Sequence, residues 1–161
     1  LGHPVCGRLG DALEDACKEV GIDAVRGGTY LAMEGPQFST LAESNLYRSW
    51  GCDVIGMTNM PEAKLAREAE ICYATVAMVT DFDCWHPDHD HVTVEAIIKV
   101  LLENAEKGRT LVKQVAPKLT GRAETCSHGC HTALEHALIT APDARDPEMI
   151  QKLDAVAGRV L

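Results

Sequence analysis

CDVIGMTNMPEAKLAREAEICYATVAMVTDFDCW, residues 52–85, holds the alternation on which the fold rests. CDVIGMT is a short apolar run without polar alternation, which reads as a strand buried on both faces. Asn59, Glu62 and Pro61 at the first helical position then open a helix, PEAKLAREAE. ICYATVAMVT, residues 71–80, is a second β-branched apolar run and is expected to form another buried strand.

The same alternation extends to either side. Leu9, Leu13, Ala16, Cys17 and Val20 recur at helical spacing between Arg8 and Val20, and Gly21 is a stop signal. GGTYLAMEG reads as a strand between glycines. Thr40 and Glu43 match a capping box, which predicts a helix to about Trp50. A loop over 81–92 leads to a long helix, VEAIIKVLLENAEKGRTLVKQV. After Pro117 a loop, a helix CHTALEHALI and a last helix from about Pro147 to Val160 are expected. This order predicts an α/β fold with a mixed, largely parallel β-sheet flanked by helices.

The chain has 161 residues, 46% apolar and 24% charged, enough to bury a sizeable core. The net charge of −9 and the 4% aromatic content argue against nucleic acid and against an anionic membrane. No run of about 18 apolar residues is present to cross a bilayer. Seven cysteines, at 6, 17, 52, 72, 84, 126 and 130, are odd in number and irregularly spaced. They read as buried thiols in a reducing, cytoplasmic compartment.

Ligands of parallel sheets gather at the carboxyl ends of strands, here EGPQFS (34–39), GMTNMPE (56–62) and TDFD (80–83). Asp81 and Asp83, two apart at a strand end, would point the same way with Cα atoms roughly 6.5 Å apart. Two close carboxylates push one pKa upward, so one could stay protonated and serve a leaving group as acid. The competing account has Asp81 capping a turn and Asp83 in water. Thr58 offers a hydroxyl beside a helix start that suits an anion such as phosphate, or is an ordinary cap. Phe38 could stack on a flat base, or simply pack its own helix.

Two runs imitate metal sites. His86, Asp88, His89, Asp90 and His91 are nearly consecutive in a loop containing Pro87, where side chains splay apart, so a solvated loop is expected. CSHGCH, 126–131, offers Cys126, His128, Cys130 and His131, yet no second ligand pair stands nearby in sequence. Thiols or a local disulfide are expected there, and no metal.

With EGP-x-F-S, GMT-x-x-PE and TD-x-DCW in place, residues from about His3 to Leu102 strongly resemble the trimeric purine nucleoside phosphorylase family. The nearest resemblance is to its branch acting on 5′-methylthioadenosine. The resemblance implies phosphorolysis: inorganic phosphate attacks the ribosyl C1′, and adenine leaves with 5-methylthioribose 1-phosphate as the other product. It implies phosphate as co-substrate, no cofactor, and a homotrimer. By the resemblance Asp81 serves N7 of the leaving adenine and Asp83 accepts from the exocyclic amine. Thr80 and Ser39 line the base pocket, and Phe38 packs on the purine. Met57 lies under the ribose, Thr58 binds phosphate, and Val92, Val94 and Ile97 form the 5′ pocket.

Relatives that take guanosine or inosine carry Asn in place of Asp81, Glu in place of Ser39, and a His in the segment of Val94. An apolar 5′ pocket leaves a 5′-hydroxyl unsatisfied, a difference of about 1–3 kcal/mol. A methylthioinosine or other purine nucleoside phosphorylase is the neighbouring alternative. A Cys/His metal-binding module, or a nucleoside-binding remnant without turnover, is the alternative of another class.

The family's glycine-rich phosphate loop, its phosphate-binding Arg-His pair and a His donated across the trimer interface have no counterpart here. The chain, which starts at Leu1, is therefore expected to be the carboxyl-terminal part of a single phosphorylase domain, incomplete in itself. Residues from about 118 to 161 would form a helical tail, and an amino-terminal segment would supply the phosphate site.

Overall fold

A computed structural model describes residues 1–86, 94–120 and 125–161, the side chain of Val94 excepted. Five α-helices and two strands are described: α1 Gly7–Glu19, β1 Tyr30–Ala32, α2 Leu41–Ser49, β2 Val54–Gly56, α3 Asn59–Glu68, α4 Val94–Val115 and α5 Pro147–Ala157. β1 and β2 pair in parallel, with Tyr30 opposite Val54, Leu31 opposite Ile55 and Ala32 opposite Gly56. β1, α2 and β2 thus form the crossover unit that parallel pairing requires.

The chain divides into two compact units. One combines Ala12–Met60 with Thr75–Thr120. Its core is Ala16 and Cys17 of α1 against Leu111 and Val115 of α4, with Ala12, Leu13 and Ile22 around them. Leu13, Ala16 and Cys17 are among the apolar positions that the helical spacing of α1 singles out. At the end of the same face Gln114 donates to Glu19 at 2.6 Å, and Lys118 pairs with the same carboxylate. Those hydrogen bonds hold the Glu19 carboxyl below its usual range. Gly21 ends the helix with φ +70°, a conformation that glycine adopts without penalty.

The other unit combines Leu1–Asp11, Pro61–Ala74 and Gly121–Leu161. The Cys6 N–H donates to the Tyr73 carbonyl at 2.7 Å, joining its first two stretches. Arg159 grips Glu70 through Nε at 2.7 Å and Nη2 at 2.6 Å, while the Leu134 N–H donates to the same carboxylate at 3.0 Å. Asp146 caps α5 by accepting from the N–H groups of Glu148 and Met149 at 2.8 and 3.0 Å.

Three expectations need correction. Residues 71–80 carry no strand assignment, and Val76, Met78 and Val79 are exposed, Val79 by 58%. An apolar run records that both faces are suited to burial, but a ladder needs a neighbouring strand, and among the described residues none pairs with it. For the same reason β1 and β2 are half-buried rather than buried. The helix expected over 130–139 reduces to a 3-10 turn, Cys130–Thr132, followed by turns. Among the described residues no helix is long and apolar enough to cross a membrane.

Candidate functional site

The residues expected to form the site, wherever described, lie in the unit built on β1, β2 and α4. After β1 the chain turns at Gly35, which has φ +71°, and enters a cis peptide to Pro36. A Cβ on Gly35 would come within 2.7 Å of Met57 Sδ, so the missing side chain leaves room for the Met57 thioether against the loop after β1. Beyond Pro36, Phe38 is 84% exposed. Ser39 is half-buried, and its hydroxyl donates to Met33 Sδ at 3.7 Å. Thr40 then caps α2.

After β2, Met57 is half-buried and Thr58 is exposed immediately before α3. The third segment is Thr80 to Trp85. The Thr80 hydroxyl donates to Asp81 Oδ1 at 2.9 Å, and Asp81 is exposed. Asp83 departs from the strand geometry expected of it: its φ is +59° and it begins a 3-10 turn, Asp83–Trp85. The strict alternation that would aim both carboxylates the same way therefore does not hold. That turn packs on α2, where the Arg48 guanidinium lies 3.6 Å from the centre of the Trp85 ring. The Cys84 thiol donates to the Ser39 carbonyl at 3.6 Å.

Two contacts thus draw the three segments together, Gly35 to Met57 and Cys84 to Ser39. Asn104 and Gly108 of α4 approach 78–79 from another side, Asn104 donating to the Val79 carbonyl at 2.9 Å. Ile97 is half-buried on α4. Val92 and the side chain of Val94 lie outside the described residues, as do all of the His-rich run but His86. The His86 ring stacks on Phe82 with centres 4.7 Å apart. Arg48 carries no signal in the sequence for this contact, whereas Trp85, a rare aromatic two residues after Asp83 in the TD-x-DCW motif, does.

A second cluster lies in the other unit. Cys6, Cys72, Cys126 and Cys130 place their sulfurs within 4.8 Å of one another. Cys6, Cys126 and Cys130 are buried, and Cys72 is half-buried. Burial alone would raise the Cys126 pKa. The backbone N–H groups of His128 and Cys130, with Arg8 and Cys6, outweigh it and bring that thiol down to about 5. Cys130, desolvated and facing the same sulfurs, is pushed up to about 12. His131 is turned away from the cluster's role: its Nδ1 accepts from the Cys126 N–H at 3.0 Å. The second ligand pair missing around CSHGCH is present in space, in Cys6 and Cys72, the former 120 residues from Cys126.

Comparison with known proteins places these features in context. The profile of the Phosphorylase superfamily matches residues 2–117. An S-methyl-5′-thioadenosine phosphorylase of Rhodospirillum rubrum is 66% identical over the whole chain, which covers 55% of that protein. One of Cereibacter sphaeroides is 63% identical, again over the whole chain and 56% of the relative. A crystal structure of a methylthioadenosine phosphorylase from an antarctic soil metagenomic library superposes with TM-score 0.86 at 43% identity, over 96% of this chain and 54% of that one. A methylthioadenosine phosphorylase from Schistosoma mansoni in complex with adenine gives TM-score 0.70 at 28% identity, over 82% of this chain and 51% of that one. The chain spans about half the length of the curated relatives it matches.

Proposed function

Because the chain belongs to the phosphorylase superfamily, we propose that it serves phosphorolysis of 5′-methylthioadenosine to adenine and 5-methylthioribose 1-phosphate. One observation carries the reading: the segments after β1, after β2 and at 80–85 meet through Gly35, Met57, Ser39 and Cys84. These segments carry a flat aromatic, Phe38, the hydroxyls of Ser39, Thr58 and Thr80, and the carboxylates of Asp81 and Asp83. The names of the most similar relatives support the same substrate.

In this reading a phosphate oxygen bonds to C1′ as the C1′–N9 bond breaks, and the bonding pair leaves with the purine. Positive charge builds on the sugar in the transition state, so the groups that matter are those stabilising it and those aiding departure. Protonated Asp81 delivers its proton to N7 of adenine, and Thr80 orients the carboxyl through the bond to Oδ1. Asp83 accepts from the exocyclic amine, with Ser39 beside the base and Phe38 against its face. Met57 supports the ribose and Thr58 donates to phosphate. Val92, Val94 and Ile97 enclose the methylthio group. Inorganic phosphate is the co-substrate, and the reaction needs no organic cofactor.

This chain is, in the same reading, the carboxyl-terminal part of one phosphorylase domain, with about 118–161 a tail. An amino-terminal segment completes the phosphate site, and the whole assembles as a cytoplasmic homotrimer. Exposed Val76, Met78 and Val79 in a run suited to burial support such a completion, because bare apolar surface of that kind marks a missing neighbour. The test is phosphate-dependent release of base from methylthioadenosine, methylthioinosine, adenosine and inosine by the protein with its preceding segment. Methylthioadenosine should lead; preference for a 6-oxopurine would overturn the roles of Asp81 and Asp83, and binding without release would make the protein a nucleoside sensor.

A further inference from the structure

Phosphorolysis leaves one constellation unused, the four thiols of Cys6, Cys72, Cys126 and Cys130. They come from three stretches that are remote in sequence yet belong to one compact unit, Leu1–Asp11, Pro61–Ala74 and Gly121–Leu161. We propose that these four cysteines bind one zinc ion in a closed tetrahedral site that ties the three stretches together. The proposal departs from the thiols or local disulfide, without metal, expected at CSHGCH. The proposal stands independently of the substrate.

Spacing favours the metal. With Zn–S bonds of about 2.3 Å, tetrahedral geometry puts the sulfurs about 3.8 Å apart. The Cys6 and Cys126 sulfurs stand 3.6 Å apart, and the whole set lies within 4.8 Å. Reaching the tetrahedron therefore takes shifts of at most about 1 Å. Closing Cys6 and Cys126 into a disulfide of about 2.05 Å would instead draw that pair together by about 1.6 Å.

The donor set agrees. Four sulfurs and no imidazole is a combination that selects zinc or iron–sulfur chemistry, and a single-ion site with no room for bridging sulfide suits zinc. With all four cysteines as thiolates, the ligands and the ion together carry two net negative charges. The surroundings are arranged for that charge. Arg8 Nη2 lies 3.6 Å from Cys72 Sγ, and Arg8 Nε is buried with no hydrogen-bond partner among the described residues. Such outer contacts orient and stabilise thiolate ligands. Beside Cys6, the His128 ring lies where a side chain on Gly7 would be, and a Cβ there would run into the imidazole.

The experiment is metal analysis of the full chain purified under reducing conditions without chelator, followed by reconstitution with Zn(II) and, separately, Co(II). One zinc per chain is expected, released when the thiols are blocked by a mercurial. Co(II) should give the intense sulfur-to-cobalt charge-transfer and tetrahedral bands of a tetrathiolate site. Cys6→Ser and Cys126→Ser should each lose zinc, and Cys52→Ser should retain it. The cobalt spectrum of the unaltered chain keeps the test valid if a serine variant fails to fold. Four free thiols that bind neither ion in excess would overturn the proposal, as would a mass lowered by four hydrogens from two disulfides.

Discussion

Thr40 and Glu43 cap each other at the start of α2. The Glu43 N–H donates to Thr40 Oγ1 at 3.3 Å, and the Thr40 N–H donates to Glu43 Oε2 at 2.7 Å. The Thr40 hydroxyl donates to that same oxygen at 2.8 Å. This reciprocal pair satisfies two helix-end donors immediately after Phe38 and Ser39, so it fixes where the loop of the candidate site ends.

Replacing Thr40 by Ala should therefore lower stability by about 1 kcal/mol, read as a shift in denaturation midpoint at neutral pH. The pH dependence has a definite sign. Hydrogen bonds from the Thr40 backbone and then its hydroxyl hold the Glu43 carboxyl below its usual range. A depressed folded pKa contributes stability above the unfolded value, and that contribution is lost as pH falls through the folded one. The gap between the parent chain and Glu43→Gln should thus narrow in acid, below the ordinary carboxylate range. A gap that stays constant into acid would show that the carboxylate is not what caps the helix.

Asp81→Asn should lower turnover of methylthioadenosine by roughly 10²-fold, the loss expected for a general acid. Asn can donate to a 6-oxopurine but cannot release a proton to N7, so discrimination against inosine-type nucleosides should weaken at the same time. Steady-state rates with both base types measure it, and unchanged turnover of the adenine nucleoside would remove Asp81 from the chemistry.

Gly35→Ala tests whether the contact between the two loops matters. Gly21 and Gly35 have nearly the same positive φ, +70° and +71°, yet a Cβ on Gly21 meets nothing within 4 Å and one on Gly35 meets Met57 Sδ. Gly21→Ala should cost only the backbone term, on the order of 1 kcal/mol, and leave KM alone. Gly35→Ala should cost more and raise KM for the nucleoside, because the Met57 thioether must move from its place beside Gly35. Thermal midpoints and Michaelis constants of the two variants separate the terms; equal effects would show that the Gly35–Met57 approach is unimportant.

Local signals in the chain were sufficient wherever the governing interactions are local. The α1 spacing and the Thr40–Glu43 box specified helices that formed at Gly7–Glu19 and Leu41–Ser49, and the long helix expected over VEAIIKVLLENAEKGRTLVKQV formed at Val94–Val115. Each depends on residues within about one helical turn of one another. The parallel pairing of β1 and β2 was legible too, since a strand, a helix and a second strand in close succession leave few other arrangements. The candidate site was legible as three motifs, EGP-x-F-S, GMT-x-x-PE and TD-x-DCW.

What the sequence could not determine depends on partners far along the chain. Residues 71–80 have the composition of a buried strand, but a ladder is made by its neighbour, and among the described residues none lies beside them. Asp83 adopts φ +59° at the start of a turn that docks on α2, with Arg48 over the Trp85 ring, an interaction no window around TDFD contains. CSHGCH looked like half of a metal site with its other half missing. Only folding, which carries Cys6 and Cys72 across dozens of residues to Cys126 and Cys130, completes the set, because burial and ligand geometry are properties of position in space and not of order along the chain.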